Sequence, residues 1–154
     1  MAPIIFFTAL LIVFFLPPID TDLGWHLRYG NYFLENGRPM MKNELTVLLN
    51  NQSWPNSYTL YQPLIALLHR LFGLWGLTVL NSVTLAAAFY FIWRMFNKNL
   101  TKTSLTAVIT TLGGWSILRY GLRGQVTSIL FLAILFYILE KVKKTKRKTL
   151  SLGL

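Results

Sequence analysis

The chain has 154 residues, 54% hydrophobic and 13% charged, with a formal net charge of +10. Soluble domains carry about 25% charged residues, and the deficit here is gathered into long uncharged runs, so the composition points to a bilayer as solvent. Absence of cysteine excludes disulfides, thiolate chemistry and cysteine-type zinc sites, and leaves the compartment open.

The first apolar run covers residues 4–16 and is followed by Pro17-Pro18. Proline removes a backbone donor and clashes with the preceding turn, which ends a helix. No basic stretch precedes the run and no small-residue cleavage pattern follows it, so it reads as an uncleaved anchor rather than a signal peptide.

Residues 20–56 form the longest segment outside an apolar span. Within it, residues 21–36 have helical periodicity. Leu23, Leu27, Gly30 and Leu34 share one stripe, Asp22, His26, Tyr29 and Phe33 the next, and Gly24, Arg28, Asn31 and Glu35 the polar side. Asn36-Gly37 before Pro39 is a stop signal. Such a helix lies in the interface plane with Asp22 and His26 along its edge. Residues 38–56 read as loop, with turn chemistry at Asn50-Asn51 and Pro55-Asn56.

Residues 58–72 form a second short apolar helix with Pro63 in its first turn and Gln62, His69 and Arg70 as polar members. Residues 74–96 are long enough to cross a bilayer, and residues 104–118 and 126–139 are shorter candidates. Gly113 offers a close-packing position. Asn81 and Ser82 are placed to form interhelical hydrogen bonds.

The expected fold is an all-α membrane protein with about four transmembrane helices and two amphipathic helices lying on the membrane. It is one membrane domain over residues 1–154: first span 1–19, outer loop 20–73, further spans 74–97, 103–118 and 125–140, and a basic tail 141–154. Six of the fifteen basic residues lie in 141–148, while Arg94, Lys98 and Lys102 flank another apolar run. Basic residues beside apolar spans mark the cytoplasmic side. Both termini are then cytoplasmic and the first loop outside, in a multi-pass cell-membrane protein. This distribution argues for membrane lipids and against nucleic acid as partner, and the tail can meet anionic lipid.

Four of the five acidic residues, Asp20, Asp22, Glu35 and Glu44, fall in the outer loop. Asp20 and Asp22 directly follow the first span. A carboxylate there can take a proton from an acceptor hydroxyl or help hold a cation. Equally, Asp20 can serve as an N-cap and Asp22 can complement the helix dipole. His26 lies one helical turn after Asp22, within reach of it for acid–base work or for plain hydrogen bonding. No third metal ligand stands at helical spacing. Arg119 and Arg123 occupy the turn between two spans, with Gln125 at the mouth of the last. An arginine there can clamp a phosphate or bind lipid headgroups. Trp25, Trp54 and Trp75 are interface anchors that can also stack on sugar rings.

The stretch Asp20-Thr21-Asp22-Leu23-Gly24-Trp25-His26-Leu27-Arg28-Tyr29-Gly30, with Leu34-Glu35-Asn36-Gly37-Arg38-Pro39 after it, resembles the start of bacterial polytopic glycosyltransferases of the GT-C type. These include protein mannosyltransferase-like and lipid-A glycosyltransferase-like families. The order of apolar helix, acidic outer loop, two membrane-lying helices and second span is similar. The resemblance implies transfer of a sugar from a polyprenyl-phosphate donor to a glycan, lipid or protein acceptor on the outer face.

Asp22 then matches the family's loop aspartate, its general base. His26 and Gly30 match the continuation of that motif, Trp54 a loop tryptophan, and Leu60 and Gln62 the start of the second membrane-lying helix. Arg123 with Gln125 resembles an Arg-Pro-Gln element in which Gly124 replaces proline. On this reading Asp22 is catalytic, and Asp20, His26, Arg119, Arg123 and Gln125 bind substrate. No cofactor is implied, and a divalent cation stays open.

The chain departs from the family in having Asn43 ahead of Leu45-Thr46, and Ser57-Tyr58-Thr59 where relatives carry His-Glu-Trp. Family members have many more spans, so the resemblance implies a truncated N-terminal portion of a longer fold, inactive alone. The alternative is a small non-enzymatic four-span protein that assembles in the membrane or binds lipid.

Overall fold

The computed structural model describes residues 1–43, 52–53 and 56–152, with side chains as far as residue 145. The turns expected at Asn50-Asn51 and Pro55, the residues Glu44, Leu45, Thr46 and Trp54, and the side chains of Lys146, Arg147 and Lys148 lie outside these described residues. The described chain is helical: α1 Ala2–Val13, α2 Leu23–Asn36, α3 Tyr61–Met95, α4 Leu100–Leu118 and α5 Gly124–Leu152. No strand occurs among the described residues. An isolated antiparallel bridge joins Lys42 and Ser53.

α1 stops at Val13, earlier than the expected 16. The residue before a proline is pushed out of the helical region, so the chain leaves the helix ahead of Pro17. α2 ends at Asn36, and Gly37 follows in a left-handed conformation with its N–H on the Phe33 carbonyl at 2.8 Å. The two helices expected over 58–72 and 74–96 are one element, broken at Gly73 with φ 62° and ψ −152°. That backbone region is open to glycine and strained for other residues, which explains why the break falls there. α4 begins at Leu100, capped by the Asn99 side chain, which accepts from the Lys102 N–H at 3.0 Å. α5 does not end near residue 140 as expected but continues through most of the basic tail to Leu152.

α3 packs against each of the other four helices. α2 lies along its first segment, with Gly30 against the Gln62 carbonyl so closely that an added Cβ would sit 2.1 Å from that oxygen. α1 lies along its second segment. Phe14 stacks on Phe89 at 6.0 Å, and both belong to a core with Leu10, Leu85, Ala107, Leu118 and Val126. Asn81 Nδ2 donates to the Phe14 carbonyl at 2.8 Å and Ser82 Oγ to the Leu11 carbonyl at 2.6 Å. These are the interhelical bonds expected of Asn81 and Ser82, and they occupy carbonyls that the end of α1 leaves unpaired.

The bundle has two chemically distinct ends. Phe7 of α1 meets Trp93, and Lys144 of α5 meets Asn97, so the start of α1, the end of α3 and the end of the described part of α5 share one basic end. The α1–α2 connection, the start of α5 and the Gln62 region of α3 share the other.

Two helices, Tyr61–Met95 and Gly124–Thr145, are long and apolar enough to cross a membrane. Their most apolar windows are 22% and 11% buried, whereas the core helix of a soluble protein is mostly buried. Four such spans were expected. α1 has 12 residues, which rise ~18 Å against a hydrocarbon core of ~30 Å. α4 has 19 residues but is diluted by Lys102, Thr103, Thr106, Thr110 and Thr111. Among the described residues, nothing lies within 4 Å of a Cβ placed at Gly113.

Candidate functional site

Two connections far apart in sequence meet at the end of the bundle opposite the basic one. The proline-stiffened segment after α1 docks on the turn between α4 and α5. The Ile19 N–H donates to the Tyr120 carbonyl at 3.1 Å. Gly121, at φ 73°, approaches the Pro17 carbonyl so closely that a Cβ would lie 2.7 Å from it. This docking brings Arg123 to Asp20. Nε donates to Oδ2 at 2.7 Å and Nη2 to Oδ1 at 2.8 Å. The planar fork of the guanidinium matches a carboxylate in this way. The Asp20 side chain is 6% exposed and that of Arg123 24%.

Asp22 stands beside this pair, its Oδ2 3.7 Å from Arg123 Nη2, with its side chain 47% exposed. It occupies the N-cap position of α2 without making a side-chain capping bond. Asp20 holds the turn instead, accepting the Asp22 N–H at 3.2 Å. Of the two acids it is Asp20 whose side chain accepts a backbone N–H at the start of α2. Asp20 is committed to Arg123, and Asp22 presents a carboxylate to the outside.

His26 is not on an open edge. It is buried, with its Nδ1 3.2 Å from Gln62 Nε2. The direction of this bond follows from a chain of partners. The Tyr58 N–H donates to Asn56 Oδ1 at 3.1 Å, so Asn56 Nδ2 faces Gln62 Oε1, at 2.7 Å. Gln62 must then donate to His26 through Nε2. The imidazole accepts at Nδ1 and carries its proton on Nε2. Trp25 stacks on the ring at 4.5 Å, and Tyr58 and Tyr61 meet it edge-on at 4.9 and 5.6 Å. Burial among these rings lowers the His26 pKa from its ordinary 6.5, outweighing the opposing pull of Asp22 and Asp20, while Arg123 acts in the same direction as burial.

The predicted residues Asp20, Asp22, His26 and Arg123 therefore converge. Arg119 is exposed at the margin, donating to the Tyr120 hydroxyl at 2.9 Å, and Tyr120 lies under both guanidiniums at 4.9 and 5.1 Å. Gln125 points outward. Trp75 is 71% exposed. Gln62 belongs to the site although the sequence marked it only as the start of a helix. Its one signal was a polar residue heading an apolar run.

Both Asp20 oxygens accept from Arg123 and Oδ1 also accepts the Asp22 N–H, which leaves one acceptor site on Oδ2. Two N–H groups of Arg123 are committed to Asp20, leaving Nη1 and the other hydrogen of Nη2 for further acceptors. No protein-family model, curated protein or solved structure matches this chain.

Proposed function

We propose that the chain acts in a membrane glycosyltransferase of the GT-C type, and that it carries the general base of the transfer. The observation behind this is the exposed Asp22 carboxylate, held against a buried Asp20–Arg123 pair at one end of an apolar helical bundle. The acceptor hydroxyl attacks the anomeric carbon of a polyprenyl-phosphate sugar. Its proton passes to Asp22 as the bond from carbon to phosphate oxygen breaks, and the polyprenyl phosphate leaves with the electron pair. Arg119 and the uncommitted N–H groups of Arg123 are placed to receive that phosphate. Asp20 positions Arg123.

In this proposal α1 and α4 accompany α3 and α5 through a bacterial cell membrane, with both termini cytoplasmic. α2 and the first segment of α3 lie on the outer surface. The shared end of the N-terminus and the basic residues supports that orientation by the positive-inside rule.

The test uses membranes containing this sequence as the N-terminal part of a complete glycosyltransferase chain, and a radiolabelled polyprenyl-phosphate hexose. Asp22→Asn should lower transfer by about 100-fold or more, the usual weight of a general base, while leaving donor binding intact. Intact transfer in Asp22→Asn, or a wild-type chain that neither binds donor nor transfers sugar, sinks the proposal. A non-enzymatic membrane assembly is the second reading. It is favoured by the exposed apolar faces of α4 and α5, including Ile109, Leu112, Phe131 and Leu135.

A further inference from the structure

The basic end of the bundle holds a cleft of about 370 Å³. Arg94, Lys98, Lys141 and Lys144 line it together with Tyr137, and Glu140 is the single carboxylate of the lining. The cations are arranged rather than scattered. Arg94 Nη1 donates to the Tyr90 hydroxyl at 2.8 Å, and its guanidinium lies 5.8 and 6.0 Å from the Tyr90 and Tyr137 rings. Lys144 reaches across from α5 to Asn97 Oδ1 at 2.8 Å. Asn97 and Lys98 both adopt left-handed backbone conformations, with φ 54° and 63°. This region is strained for residues other than glycine, and such strain gathers at functional positions. The Lys98 N–H donates to the Trp93 carbonyl at 2.9 Å, closing the C-terminus of α3.

From this geometry we infer that the cleft is a binding site for the phosphate headgroup of an anionic phospholipid. The excess of cations calls for an anion, and arginine with several lysines suits a phosphodiester. The surroundings favour a lipid over a free anion. The cleft lies between α3 and α5, the two helices long and apolar enough to cross a membrane, and Tyr90, whose hydroxyl meets Arg94, is 39% exposed. A headgroup in the cleft leaves its acyl chains against those apolar surfaces, whereas inorganic phosphate gains nothing from them. The inference rests on the membrane placement proposed above and is independent of glycosyl transfer. The cleft lies at the opposite end of the bundle from Asp22.

The experiment begins with alkaline carbonate extraction of membranes from cells expressing the chain. Release into the wash overturns the membrane placement, and the inference with it. If the chain is retained, the detergent-solubilised protein is titrated with phosphatidylglycerol, phosphatidylcholine or inorganic phosphate, and thermal unfolding is followed. Phosphatidylglycerol should raise the unfolding temperature and phosphatidylcholine should not. Lys98→Gln/Lys141→Gln/Lys144→Gln should weaken the response about tenfold or more, because each cation near an anionic surface contributes separately. Lys143→Gln, outside the cleft lining, should respond like the wild type. If the triple variant does not fold, Lys98→Gln alone should show a smaller weakening. Equal responses to the two lipids, an unweakened variant, or an equal effect of inorganic phosphate overturns the lipid-headgroup site.

Discussion

Arg123 and Asp20 stand 103 residues apart in the chain and meet through two parallel hydrogen bonds, at 2.7 and 2.8 Å. The pair ties the exit of α1 to the entry of α5, and so closes one end of the bundle.

Arg123→Ala leaves the Asp20 carboxylate, 6% exposed, without a cation, whereas Asp20→Ala leaves Arg123, 24% exposed, beside Asp22. Arg123→Ala should destabilise the protein by ~3 kcal/mol, and Asp20→Ala by less. The double variant should cost much less than the sum of the two. Unfolding of the detergent-solubilised proteins in a double-mutant cycle measures this, and additive losses would show that the pair does not act as a unit.

His26 links stability to pH. Its pKa in the folded chain is below 6.5, chiefly through burial. The unfolded chain therefore binds a proton in a range where the folded chain does not. Stability from this group is complete above pH 6.5 and declines as the pH falls below that value. His26→Gln should remove that part of the pH dependence. A wild-type stability that stays level, or rises, as the medium is acidified would contradict the neutral buried imidazole.

Glycine positions separate close packing from open space. Gly30→Ala should cost ~1–3 kcal/mol, the range for overpacking, because its Cβ would collide with the Gln62 backbone. In Gly113→Ala the new methyl meets nothing within 4 Å, and helix propensity should raise stability by up to ~1 kcal/mol. Thermal unfolding of both variants decides the matter. Strong destabilisation by Gly113→Ala would instead reveal a helix partner on α4.

Asn81 is fully buried and donates to the Phe14 carbonyl. Asn81→Leu should cost ~1–3 kcal/mol, since a buried acceptor loses its donor. Protection of α1 amides against hydrogen exchange should fall in parallel. Unchanged protection would mean that α1 is held by Phe14 and Leu10 packing alone.

Much of this protein follows from local rules. Pro17-Pro18, Asn36-Gly37 and Gly73 mark boundaries because proline lacks a donor and glycine tolerates left-handed backbone. Asn81 and Ser82 stand out because polar groups within an apolar helix need a partner, and each donates to a carbonyl of the α1 segment. The resemblance of the Asp20–Gly30 stretch singled out Asp22 and His26 without any knowledge of their neighbours.

Other features depend on which segments meet. Spacing within α2 allowed His26 to pair with Asp22, yet its partner is Gln62, 36 residues on. Asp20 and Asp22 are alike in sequence context. Only the docking of the Gly121 turn on Pro17 commits Asp20 to Arg123 and leaves Asp22 exposed. The sequence by itself determined the breaks at Asn36-Gly37 and Gly73, the apolar runs and the residue types at the site, since these depend on near neighbours and on solvent. The tertiary structure decided which acid is paired, which is free and which way the His26 proton faces, because those depend on side chains that meet only after the chain has folded.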